Sequence, residues 1–124
     1  MKILLSVKPE YVYRILDKSK RFEFRHKLAV REIDCIVLYA TYPIMKVVGE
    51  VKVVGTITTS PTAMWEKTKS FAGISREKYR KYFKGRKTAS AYVLGDITEY
   101  EKPLSLETLG IKKAPQSFIY LKDE

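Results

Sequence analysis

Apolar and polar positions recur with two different periods along this chain, and the switches between them mark its elements. The opening run "KILLSV" is apolar and short, which predicts a strand. Pro9 then stands where a helix places its first turn. Val12, Ile15 and Leu16 recur on one face of a helix running to about Lys18. In "RFEFR" the period drops to two, so Phe22 and Phe24 take one face of a second strand and Arg21, Glu23 and Arg25 the other. "CIVLYA" is continuous and β-rich, as expected of a strand buried on both faces or set in a barrel wall. After the turn "TYPIM", the β-branched "VVGEVKVVGTITT" is long enough to bend, with Gly49 and Gly55 at bulge or corner positions.

The middle of the chain reads as helical. Ser60 followed by Pro61 is a helix start carrying "PTAMWEKT". Ser75 is a second cap, with Ile74 and Tyr79 at hydrophobic-staple positions and Gly85 ending the helix "REKYRKYFK". Tyr79, Tyr82 and Phe83 form its predicted apolar stripe. "TASAYVL" and "DITEY" read as two strands near a turn at Gly95-Asp96, with Pro103 closing the second. "SLETLG" is a short capped helical turn and "QSFIYL" a final strand. Five or six strands with inserted short helices, and no alternation of strand and crossover helix, predict a small mixed α+β barrel.

Composition narrows the class. At 124 residues and 45% apolar, with nine Tyr and five Phe, residues 1–124 form one globular domain by expectation. No apolar run approaches the roughly 20 residues of a membrane span, and "MKILLSVKPE" reads as a first strand rather than a signal peptide. The single cysteine, Cys35, has no internal partner for a disulfide and lies in an apolar strand, as an inert buried thiol does. A cytoplasmic protein without a membrane partner, monomeric by default, is the expectation.

Charge changes the picture. There are 24 basic and 14 acidic residues, a net +10, distributed unevenly. Residues 1–62 carry eleven basic and six acidic groups, residues 63–90 nine and two, and residues 91–124 four and six. Such a domain attracts polyanions, nucleic acid first. The helix around "SREKYRKYFKGRK" holds much of the excess, and Arg76, Arg80, Lys81 and Lys84 are its candidates for phosphate attraction.

Several chemistries drop out on inventory. One histidine and one cysteine cannot build a zinc cage from those ligands, and no phosphate loop, dinucleotide fingerprint or nucleophile elbow occurs. No cofactor is expected. His26 reads as a loop or solvated histidine. What remains is Lys20, Glu23 and Arg25. Glu23 between cations stays ionised and can accept from a base amino group, while Lys20 and Arg25 meet a phosphate or carbonyl oxygen. The same trio can perform chemistry, with a desolvated Lys20 as base or nucleophile and Arg25 stabilising an oxyanion. It can equally be a strand face whose charges pair harmlessly. The residues alone leave these three readings open.

The stretch "LLSVKPEYVYRILDKSKRFEFR" resembles the opening of the ASCH domain family, whose hallmark is a helix, a turn and a Lys-x-x-Glu-x-Arg strand. Lys20, Glu23 and Arg25 fall on those positions, although "KSK" lacks the usual glycine before the lysine. The resemblance continues through "LYATYP", "VVGEVKV", "MWEKT", "GISREKYRKYFKG", "ASAYVLGDITEYEKPLSLETLG" and "APQSFIYL". It implies a PUA-like β-barrel and an RNA-binding module tied to translation or transcription, with RNA or a modified nucleotide as partner. By the same resemblance the charged motif lines a cleft. Ser6, Lys8 and Thr41 border it, with Trp65, Tyr82 and Gln116 as further candidates. Some family members resemble amidohydrolases that deacetylate acetylated cytidine, with a hydroxyl where this chain has Glu23, and another has ribonuclease activity. On either enzymatic reading Lys20, Glu23 and Arg25 would be catalytic.

Overall fold

The computed structural model describes residues 1–122. Its frame is six strands: β1 (Lys2–Val7), β2 (Phe22–Arg25), β3 (Cys35–Ala40), β4 (Lys46–Thr59), β5 (Ala89–Leu104) and β6 (Phe118–Leu121). They pair in one mixed sheet in the order β2-β5-β4-β3-β1-β6, curled into a half-barrel. β1 and β3 are parallel; the other pairings are antiparallel. A parallel pair needs a crossover, and here helix α1 (Pro9–Leu16) and edge strand β2 occupy it. Helices α2 (Pro61–Thr68) and α3 (Arg76–Tyr82) fill the connection between β4 and β5, and short 3₁₀ turns cover Lys69–Phe71 and Leu106–Leu109.

The period-two logic explains the core. In β1 and β3, Ile3, Leu5, Val7, Ile36, Leu38 and Ala40 face α1 and pack with its Val12 and Ile15. The intervening Leu4, Val37 and Tyr39 point the other way, onto Val47 and the C-terminal segment around Leu106 and Ile119. Every residue of "CIVLYA" is buried, as a strand covered on both faces requires. A further cluster joins Phe24 of β2 to Met64, Ala72, Tyr79, Phe83, Ala89 and Ala91, seating α2 and α3 against the sheet.

Several local expectations change. "TASAYVL" and "DITEY" are not separate strands: β5 is continuous over 16 residues. The residues Gly95 and Asp96 form no turn, because Leu94 pairs with Val53 and Ile97 with Val51, leaving the extra residue as a bulge. Pro103 lies inside β5, where the pairing with β4 has already lapsed between Glu99 and Leu104. Both predicted bend glycines sit at register shifts of β4. At Gly49 a Cβ would stand 2.5 Å from the Thr98 carbonyl oxygen, so the close strand approach there admits no side chain. Helix α1 ends at Leu16, earlier than its apolar pattern predicts, because Lys18 takes a left-handed φ of 70°. Tyr82 leaves the expected apolar stripe of α3. Tyr79 and Phe83 are buried, whereas Tyr82 is 38% exposed and stacks on His26.

The sheet's edges, β2 and β6, meet across the mouth of the half-barrel through Arg25. Its Nη1 donates to Ser117 Oγ at 3.2 Å, just before β6, and its Nη2 to the Ser6 carbonyl of β1 at 3.3 Å. Nε and Nη2 also donate to Glu23 Oε2, at 3.0 and 2.7 Å. The Ser6 hydroxyl donates to the Pro115 carbonyl at 2.6 Å, so the segment leading into β6 is tied to β1 as well. Arg25→Met removes these seam bonds and strands a carboxylate that is only 6% exposed. The expected loss is about 3 kcal/mol in urea unfolding, with Glu23→Gln in the same background restoring part of it. An unchanged unfolding midpoint in Arg25→Met would show that the seam contributes nothing.

Candidate functional site

The site is built where the α1–β2 turn meets the loop between α2 and α3. Three consecutive carbonyls of that loop each accept from the turn side. Phe71 O takes the Arg21 N–H at 2.8 Å, Ala72 O takes Lys20 Nζ at 2.8 Å, and Gly73 O takes Arg14 Nη1 at 2.9 Å. Gly73 permits this contact. Its φ is +64°, and a Cβ there would come within 2.3 Å of Lys20 Cβ.

Lys20 is thereby buried to 3% exposure, with its ammonium 4.8 Å from the centre of the Phe24 ring and 5.4 Å from that of Tyr11. Burial lowers its pKa, Glu23 partly restores it, and Arg14 and Arg25 push it down again. An ammonium has three donors, and the described residues occupy one, through Ala72. Glu23 has a similar reserve: Oε2 holds Arg25, while Oε1 has no hydrogen bond among the described residues. Arg25, by contrast, uses four of its five N–H groups on the seam and on Glu23. The motif therefore divides into two groups with free capacity, Lys20 and Glu23, and Arg25, which fixes Glu23.

Lys20, Glu23, Phe24 and Arg25 line a cleft of about 530 Å³. Ser6 and Lys8 from the end of β1 and Tyr82 and Lys81 from α3 border it, as do Tyr11, Ile74 and Lys78. Phe24 reaches the cleft although its alternation assigned it to the opposite face from Glu23. The strand lies at the barrel mouth, and Lys20 folds over the Phe24 ring. Tyr11, Ile74 and Lys78 are not among the site candidates read from the sequence, but Lys78, Lys81 and Tyr82 share the i, i+3, i+4 spacing of one helix flank. Lys78 also reaches Glu10 of α1 at 3.6 Å across the rim.

The remaining candidates lie elsewhere. Thr41 donates its N–H to the Val7 carbonyl at 3.0 Å, beside the cleft without lining it. Gln116 is exposed between Pro115 and Ser117, which serve Ser6 and Arg25, and it too is outside the lining. Trp65, Arg76, Arg80 and Lys84 lie on the far side of α3, in a separate groove against α2, so the basic helix stands between two concavities instead of bordering one. His26 is half-buried. It stacks on Tyr82 at 4.1 Å, places Nε2 2.8 Å from the Tyr82 carbonyl and accepts from Arg86 at Nδ1, 3.3 Å away, which fixes the Nε2–H tautomer. Cys35 is buried and its thiol is pushed up to about 11 by burial and by Glu50, so it is an inert thiol. Among the described residues no group of three His, Cys, Asp or Glu side chains could hold a metal ion, and no helix is long and apolar enough to cross a membrane.

Comparison with known proteins places the fold. The family model described as "Domain of unknown function (DUF365)" matches residues 1–112. The crystal structure of ASCH from Zymomonas mobilis superposes with a TM-score of 0.89 at 27% identity, covering 98% of this chain and 87% of that one. The chain belongs to the DUF365 family and is an ASCH domain. The ASCH domain-containing ribonuclease of Z. mobilis is 29% identical over 126 residues, 98% of this chain and 84% of that protein. The ATP synthase subunit alpha of Ureaplasma parvum serovar 3 is 30% identical over 121 residues, and this chain spans only 15% of its length. The half-barrel and inserted helices are thus those of the ASCH and PUA-like fold.

The charge balance of this ASCH cleft is open to measurement. Side-chain NMR should find Lys20 titrating below the ordinary lysine value of 10.5. Glu23→Gln should lower the midpoint further, because the carboxylate is the one neighbour raising it. Since the folded-state value is the depressed one, stability should rise with pH between that value and 10.5. A Lys20 midpoint at or above 10.5 would contradict the desolvated geometry.

Proposed function

We propose that this ASCH domain binds RNA, taking a nucleotide of a single strand into the cleft between β2, the end of β1 and α3. The observation that carries the reading is the pair of unspent groups on the cleft floor. Buried Lys20 has N–H groups to give and Glu23 Oε1 a lone pair to receive, the first held by Ala72 and the second by Arg25. A donor beside an acceptor is what the polar edge of a nucleobase requires. Lys8, Lys78 and Lys81 at the rim suit the phosphates, and Tyr82, partly exposed and backed by His26, offers an aromatic edge to an unstacked base. The name of the Z. mobilis relative, a ribonuclease, agrees with RNA as the partner.

Fluorescence anisotropy with labelled single-stranded RNA tests this. Affinity should fall steeply with salt. Lys20→Met should weaken binding at least tenfold, about 1.5–3 kcal/mol for hydrogen bonds from a charged group. Tyr82→Ala should cost about 1–3 kcal/mol, as expected for a base–aromatic contact. An absence of binding even at low salt would end the proposal.

A second reading, a hydrolase acting on RNA or on a modified nucleoside such as acetylated cytidine, is favoured by the lowered pKa of Lys20. In its neutral form Lys20 can take a proton from an attacking hydroxyl or water. Arg25, committed to the seam, is left with little capacity for an oxyanion. Incubation with RNA and with acetylated cytidine, beside Lys20→Ala, decides: turnover lost in the variant favours the hydrolase, and equal turnover excludes Lys20 catalysis.

A further inference from the structure

Helix α3 carries cations on both flanks. Its spacing sets Arg76 and Arg80 on one side, with Lys84 in the turn that follows, and Lys78, Lys81 and Tyr82 on the other, with Tyr79 and Phe83 buried beneath. The second flank borders the cleft. The first forms a groove of about 520 Å³ against α2. Its walls are fixed, because Tyr79 donates its hydroxyl to the Pro61 carbonyl at 2.7 Å and packs against Trp65 with ring centres 4.8 Å apart. The one carboxylate in the lining, Glu66, is held by Lys69 at 2.8 Å. Arg76, Arg80 and Lys84 make no salt bridge among the described residues, and the Trp65 indole N–H has no acceptor there.

Three cations without a salt bridge among the described residues thus stand beside an aromatic wall in one groove. Residues of α3 line both the groove and the cleft, so that helix separates the two. We propose that this groove is a second station for the same RNA strand: the strand leaves the cleft over Lys81 and Tyr82, crosses α3, and lays its phosphates on Arg76, Arg80 and Lys84 alongside Trp65. The inference rests on the RNA reading of the cleft and extends it, making the ligand an oligomer long enough to straddle a helix rather than a single nucleotide. Nucleic acid is favoured over an acidic peptide because the lining pairs cations with an aromatic ring and continues a base-sized cleft.

The test compares a mononucleotide, a series of RNA oligomers of increasing length and polyglutamate on wild type, on Arg76→Ala/Arg80→Ala/Lys84→Ala and on Lys20→Met. For wild type, affinity should step up once the oligomer spans both concavities. The triple variant should lose the longer oligomers on the order of 100-fold at low salt, and the slope of log K against log salt should flatten by about 2, three contacts at about 0.7 each. Its affinity for the mononucleotide should not change, and neither should its melting temperature, since all three side chains are exposed. Lys20→Met should weaken ligands of every length. Wild-type affinity and salt slope retained by the triple variant would overturn the groove while leaving the cleft reading intact, whereas wild type failing to bind RNA of any length would remove both. Polyglutamate binding as tightly as the long oligomers, and lost equally in the triple variant, would assign the groove to acidic protein segments instead.

Discussion

The guanidinium of Arg25 is the joint on which this molecule depends. A six-stranded sheet curled into a half-barrel leaves two unpaired edges, β2 and β6, facing each other across a gap that backbone pairing does not bridge. Arg25 bridges it with a planar fork, giving bonds to Ser117, to Ser6 and twice to Glu23. The guanidinium that holds the barrel mouth also sets the rotamer of Glu23, and so decides that one carboxylate oxygen is consumed and the other has no hydrogen bond among the described residues.

Lys20 is fixed by a different device. A lysine at 3% exposure is costly unless its charge is compensated, and here one carbonyl, two aromatic faces and a carboxylate nearby only partly offset the loss of water. The clamp of three consecutive carbonyls from the 71–73 segment supplies the rigidity, and Gly73 supplies the space. Holding an under-compensated cation on a cleft floor is the arrangement expected where affinity for a polar ligand has been favoured over stability. It also couples the cleft to α3, because the clamped loop leads directly into that helix through Ser75, whose hydroxyl caps it.

How much of this was legible in the residues depends on range. The strand in "CIVLYA", the cap-and-proline start at Ser60-Pro61 and the Ser75 cap are local, and short-range sterics and hydrogen bonding decide them, while Gly49 and Gly55 mark bends that only the pairing with β5 makes necessary. The failures are non-local. Gly95-Asp96 carries good turn chemistry, yet β4 offers pairing partners on both sides of it, and continued pairing absorbs one extra residue as a bulge. Tyr82 fits the helical stripe, but its position on α3 faces His26, just after β2, rather than the core beneath Tyr79 and Phe83.

The sequence by itself determined most of the elements, the excess of positive charge over residues 63–90 and the Lys-x-x-Glu-x-Arg pattern that carries the ASCH resemblance. Only the tertiary structure decided which partner each motif residue meets. Lys20 finds its acceptor 52 residues away, and Arg25 finds Ser117 across 92. It likewise divided the basic helix between two concavities, since which flank of α3 meets the cleft depends on Tyr79 and Phe83 anchoring it to β2 and β5. Side-chain period and capping are encoded within a few residues. The allocation of hydrogen-bond donors is encoded only once the sheet has curled and its edges have met.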